Sequence, residues 1–253
     1  AREPTSHTSS PLAQRLYEDG LRAFYQFDTN AARRLFDAAL KEDSTFAMAA
    51  YLAWRSESAT NAPRQESLAA RVERLAGGAS ERDRLLILTH LSASRYDLSA
   101  IPAAESLVTK FPNDAETLIR AADIANELPR AQALLDRAIA LDSATGTAPN
   151  AICRLCEAFL ALVRRYDSAD SVNRAEATLD RWSALRPGDY QPWLVRADYL
   201  AALGRARDAV DARRHADSLG APRDESAEVV LLRSLRSDDF ATADTICEKQ
   251  LPA

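Results

Sequence analysis

From Asn30 to Phe46 the chain reads NAARRLFDAALKEDSTF, with small or apolar residues at Ala32, Phe36 and Ala39 separated mostly by polar and charged ones. Steps of four and three put those three side chains on one face of an α-helix, and the acidic residue and Ser44 beyond them end it. The pattern returns. AQALLDRAIALDS repeats it at Ala131, Leu135, Ala138 and Ser143, and AEATLDRWSALRP at Ala175, Leu179, Trp182 and Pro187. AVDARRHADSLGA gives Ala209, Arg213, Ala216 and Ala221, and ADTICEKQ gives Ala243, Cys247 and Gln250. Ala175, Ala209 and Ala243 stand 34 positions apart. Twelve positions before the alanine, a second helix carries a packing residue at Gly20, Val163, Ala197 and Leu231, with bulky Leu16, Phe159 and Trp193 four residues earlier.

Breakers fall where such helix pairs need turns. DTN after Phe27, LP before Arg130, RPGDYQP before Trp193, LGR at Gly204 and LGAPRD at Gly220 supply caps and stops, and Ser80 with Asp83 can open a helix. The spacing predicts about fourteen helices in seven pairs, a loose tail over residues 1–10 and one domain over 11–253. Between the clear repeats the template is looser, with Glu66 at one alanine place and Ala103 as the anchor of the next. The step from Ala131 to Ala175 exceeds the period by ten, and the helix through Ala161 is expected to absorb it.

These offsets resemble the tetratricopeptide repeat (TPR), whose period is 34 and whose signature runs through an aromatic, a small pair, then Ala, Phe, Ala and Pro. The resemblance is strong over Leu12 to Ser44 and Gln191 to Ala253 and fair over Ala115 to Pro187. It implies an all-α fold, a right-handed α-solenoid of about seven TPR-like helix hairpins. One hairpin cannot hide its own apolar stripe, so each stacks on the next. The resemblance also implies that the first helix of each pair lines a concave groove. Carried over, the groove places include Tyr17, Leu21, Phe24 and Tyr25, then Tyr51 and Arg55, then Arg95 and Tyr96, and farther on Arg164 and Asp198. Eight of the aromatics fall within the first 54 residues. Rings and arginines suit peptide recognition, and the same rings could instead stack on one another to complete the first hairpins; both readings stand. The Lys and Asn clamp with which some family members hold a terminal carboxylate is absent from the matching places.

Composition narrows the classes. At 253 residues, 47% hydrophobic and 27% charged, the chain can bury a core, and its few glycines and alanine-rich text favour helix. A net charge of -5 without a basic cluster argues against nucleic acid as a partner. No run of 18 apolar residues exists to form a transmembrane segment. The polar start AREPTSHTSSP suits either a mature exported protein or a piece of a longer one, and an exported or periplasmic location is favoured over a cytoplasmic one.

Chemistry is sparse. No phosphate loop, nucleophile elbow or zinc-protease motif occurs. His7 lies in the tail, His90 reads as a packed or edge histidine, and His215 as surface. Cys153 and Cys156, in CRLC, read first as buried thiols on the apolar side of a helix, second as a disulfide, third as a redox or metal pair. No catalytic residue, cofactor or metal is expected. The function expected is a non-enzymatic protein–protein interaction scaffold, one subunit or regulatory domain of a larger bacterial assembly. TPR domains attached to bacterial signalling proteins are the nearest likeness. The alternatives are an exported accessory subunit stabilising a membrane protein complex, and a thiol redox or small-ligand-binding protein using the Cys-x-x-Cys helix. The partner is another protein or peptide.

Overall fold

A computed structural model describes residues 8–57, 61–143 and 153–221. Over these residues the protein is all-helical, with twelve helices and no strand. The chain divides into two compact units, Ala1–Arg165 and Tyr166–Ala253.

The first unit holds α1 (Pro11–Tyr25), α2 (Thr29–Glu42), α3 (Ala47–Arg55), α4 (Ala62–Ala76), α5 (Glu81–Ser94), α6 (Ala100–Lys110), α7 (Ala115–Ile124), α8 (Leu128–Ser143) and most of α9 (Arg154–Asp167). Several starts are capped, two of them, at Asp28 and Ser80, where the sequence places turn or capping residues. Ser10 accepts the Ala13 amide, Asp28 that of Ala31, Ser80 that of Asp83 and Asp114 that of Thr117, each relieving one orphan donor of a helix terminus. From α1 to α8 each helix packs on its successor, and α3 and α7 also touch α5. Sequential neighbours are therefore spatial neighbours, and α3, α5 and α7 lie side by side.

The repeated alanine template is the buried stripe of the even-numbered helices. Ala32, Phe36 and Ala39 are fully buried, as are Ala131, Leu135 and Ala138. Small residues let helix axes approach, and the large one fills the groove beside them. Gly20 shows why: a Cβ built there would stand 2.6 Å from Cε1 of Phe36. Where the sequence template is loose, the structure shifts it. Glu66 is exposed, and α4 buries Leu68, Val72 and Ala76 instead. In α6 the buried positions are Ala100, Ala104, Leu107 and Val108, so the anchor is displaced from Ala103. The ten extra residues after Ala131 do not lengthen the helix through Ala161, since α9 has 14 residues and α1 has 15.

The second unit contains α10 (Val172–Leu185), α11 (Gln191–Ala202) and α12 (Ala206–Ser218), with α11 packed on both others. Ala175, Leu179 and Trp182 are fully buried, and Ala197, Leu200, Ala201, Ala209 and Ala212 form a core with Trp193 against it. The expected seventh pair, with Leu231, Ala243 and Cys247, lies outside the described residues.

One turn recurs through the chain. Phe27, Tyr96, Asp170, Gly204 and Gly220 all have positive φ, between 49° and 86°. In each case the next residue's amide reaches back five positions: Asp28 to Ala23, Asp97 to Ser92, Ser171 to Tyr166, Arg205 to Leu200 and Ala221 to Ala216. This is the Schellman closure of a helix C-terminus. Three of the five positions carry a side chain, which is disfavoured in left-handed backbone by about 1 to 2 kcal/mol. Asn tolerates that conformation better, so Tyr96→Asn is expected to raise the unfolding free energy by about 1 kcal/mol in urea denaturation. A drop in stability would show that the exposed ring makes a compensating contact.

Candidate functional site

The expected groove residues divide sharply by exposure. Tyr17, Leu21, Tyr25 and Tyr51 are buried, and Tyr17 packs its ring against Phe36 and Phe46 at 5.9 and 4.8 Å between centroids. Phe24 is half-buried and the Arg55 side chain nearly buried, while Arg95, Tyr96 and Arg164 are exposed. Asp198, on α11 of the second unit, is also exposed. The N-terminal rings therefore contribute mainly to packing.

What the inner helices of the first unit bring together is an ion network. Glu157 of α9 accepts hydrogen bonds through one oxygen from Arg55 of α3 and Arg120 of α7. Arg120 also donates to Asp123 at 2.6 Å. The Arg55 guanidinium lies 4.8 Å from the centre of the Phe24 ring, a cation–π contact from α1. A second group centres on Arg82 of α5, which donates to Asp114 at 2.9 and 3.1 Å, to Glu116 at 3.0 Å and to Asp83 at 2.9 Å. Tyr51 and His90 share a hydrogen bond of 2.7 Å, and Trp54 stands edge-on to the same imidazole. Five successive odd-numbered helices thus meet through charge and aromatic contacts.

Burial and charge compete in the protonation states. Burial would push the Glu157 carboxyl up, but the guanidiniums of Arg120 and Arg55 overcome it and hold it at about 2. Burial likewise opposes charge on Glu116, and Arg82, Arg154 and Arg55 keep it below the ordinary carboxylate range. His90 is driven well below its usual value by burial, with Arg120 and Arg55 adding to the shift, so it is neutral. Burial raises the Tyr51 phenol to about 12. Glu157 Oε2, Arg55 Nη1 and Arg120 Nε are buried and make no hydrogen bond.

The cysteine pair is bonded. Cys153 and Cys156 form a disulfide, and both are buried, so the thiol reading gives way to its second alternative. α9 begins at Arg154, which puts Cys153 just ahead of the helix and Cys156 in its first turn rather than both within it. Cys247 lies outside the described residues.

A cavity of about 270 Å³ lies where the α2–α3 and α4–α5 turns meet, lined by Phe46 and Met48 and edged by Ser80 and Asp83. It is at the small end for a ligand site. His215 is exposed and packs against Trp193 with 4.1 Å between ring centres and the planes tilted by 55°. His90, by contrast, shares its hydrogen bond with the Tyr51 phenol.

Sequence reasoning passed over Arg120, Glu157 and the Arg82 group. The signal for the first two was there: arginine and glutamate set inside otherwise apolar helical runs are rarely buried unless paired. No described helix is long and apolar enough to cross a membrane. No protein-family model matches the chain, and comparison with curated proteins gives no match.

Proposed function

We propose that the chain is a non-enzymatic protein–protein interaction scaffold, a right-handed α-solenoid of about seven TPR-like hairpins serving as one subunit or regulatory domain of a larger bacterial assembly. The 34-residue step between the buried Ala175 and Ala209, the recurring turn and the side-by-side α3, α5 and α7 support the repeat architecture. The observation that carries the interaction reading is the α5–α6 turn. Tyr96 is 93% exposed in left-handed backbone, and Leu98, two residues on, is 78% exposed. Arg95 pairs with Glu73 at 2.7 Å and Asp97 accepts the Ser99 amide at 2.9 Å, so the turn that carries them is tied down at both ends. A large apolar pair on an ordered turn is a ready anchor for a partner. A disulfide persists in oxidising compartments, which supports an exported location.

The test is affinity capture from the source organism with wild type and Tyr96→Asn/Leu98→Ser. Wild type should retain a defined protein partner and the double variant should lose it at least tenfold, with its melting temperature unchanged or higher. Equal capture by both forms overturns the assignment of this turn, and no specific partner for either overturns the scaffold reading.

A further inference from the structure

We propose that Cys153–Cys156 is a reversible thiol–disulfide exchange site whose co-reactant is a dithiol, and that its redox state governs how firmly α9 engages α3 and α7. The inference is independent of the docking reading.

The bond joins cysteines only three positions apart. A ring that small removes little freedom from the unfolded chain compared with one closing a long loop. Its consequence is local: it fixes the first turn of α9. That turn is where α9 makes its polar attachments. Glu157, the residue after Cys156, takes both Arg55 and Arg120, and the Leu155 amide donates to Asp142 of α8 at 2.7 Å. The covalent ring and the ionic attachment are therefore adjacent on one turn.

The same placement favours exchange. A helix N-terminus stabilises a nearby thiolate through its free amides and dipole, and Arg154 lies between the two cysteines in sequence. A sulfur so placed is a better leaving group. Cys153 is 8% exposed and Cys156 fully buried, so Cys153 is the sulfur attacked. A thiolate of the dithiol bonds to Cys153 Sγ, the Cys153–Cys156 bond breaks, and Cys156 leaves as a thiolate at the helix terminus. The second thiol of the reagent then closes on the mixed disulfide, releasing Cys153. The dithiol departs as its own disulfide, having given two electrons and two protons to the pair. The reverse steps restore the bond.

The experiment treats the full chain with graded ratios of reduced to oxidised dithiothreitol under native conditions. It counts alkylated cysteines by mass and records the melting temperature of each state. The expected result is that the chain reduced under native conditions, once quenched with acid and alkylated in denaturant, carries two more alkylated cysteines than the oxidised chain, and that reduction lowers the melting temperature by several degrees. In Glu157→Gln the same reduction should lower it by less than half as much, because the attachment it loosens is already weakened. Hydrogen exchange on the wild type gives a reading that does not depend on that variant folding. Amides at the start of α9 and in α3 and α7 should exchange at least threefold faster after reduction. The proposal fails if the bond yields only after denaturation, if the two states exchange and melt alike, or if the loss is the same with and without Glu157.

Discussion

Glu157→Ala is expected to destabilise the first unit by about 3 to 5 kcal/mol at neutral pH, the range found when one partner of a buried ion pair is deleted. The side chains of Arg55 and Arg120 are 9% and 5% exposed, and the variant leaves both guanidiniums facing the position from which their shared carboxylate has gone. The pH dependence gives an independent check. Glu157 is held at about 2 against an ordinary 4.5, so the unfolded chain takes up a proton there before the folded one. Its contribution is complete above pH 4.5 and is lost as pH falls from there towards 2. A difference of that size corresponds to about 3 kcal/mol, consistent with the mutational figure. His90 acts in the same direction from higher pH. Its folded value is depressed, so stability is complete above about 6.5 and declines below it, in wild type and variant alike. Urea denaturation from pH 7 to pH 3 should show wild type and Glu157→Ala converging as the medium becomes acidic. A variant within 1 kcal/mol of wild type at pH 7 would mean that the network has no net grip on α9.

Phe36→Ala is expected to cost about 3 to 5 kcal/mol, since the ring is fully buried between Gly20 and Tyr17 and its loss leaves a cavity at the first helix crossing. Gly20→Ala should cost about 1 to 3 kcal/mol for the opposite reason. The added methyl would stand 2.6 and 2.8 Å from two ring carbons of a fully buried side chain. The two sites should be coupled. In a Phe36→Leu background, Gly20→Ala should become at least about 1 kcal/mol less costly, because the atoms it would meet have gone. Denaturation midpoints of the four proteins provide the test, and strictly additive effects would rule out the close approach of α1 to α2 as the source of the cost.

Much of the helix framework was legible because it follows from local spacing. Ala32, Phe36 and Ala39 recur at helical intervals, and a stripe that cannot be hidden by one hairpin announces its neighbour. The weak places were those where local spacing admits more than one face. In α4 the buried run is Leu68, Val72 and Ala76, two positions from where an even 34-residue count would begin it. The ion network was harder to see for a different reason. Arg120 and Arg55 find Glu157 across 37 and 102 positions of chain, and no local pattern encodes a pairing over such distances. The rings of Tyr17, Tyr25 and Tyr51 occupy places that line a groove in the repeats they resemble, yet here they are buried. Exposure depends on the neighbouring hairpin, which position within one repeat does not specify. Cys153 and Cys156, three positions apart, have the same local spacing whether bonded or free, and only their three-dimensional placement separates the two.

The recurring helix-ending turn bears on how such a chain can change over generations. Its closing contacts run between main-chain atoms, so no particular side chain has to be kept at the joint, and Phe, Tyr, Asp and Gly all occupy it. As far as the bend itself is concerned, letters at these junctions can change while its form stays the same; at Tyr96 the proposed docking, not the bend, would hold the side chain. Cutting and rejoining the gene at two such bends would repeat or remove whole helices without breaking any of them, which makes Phe27, Tyr96, Asp170 and Gly204 natural seams in the chain.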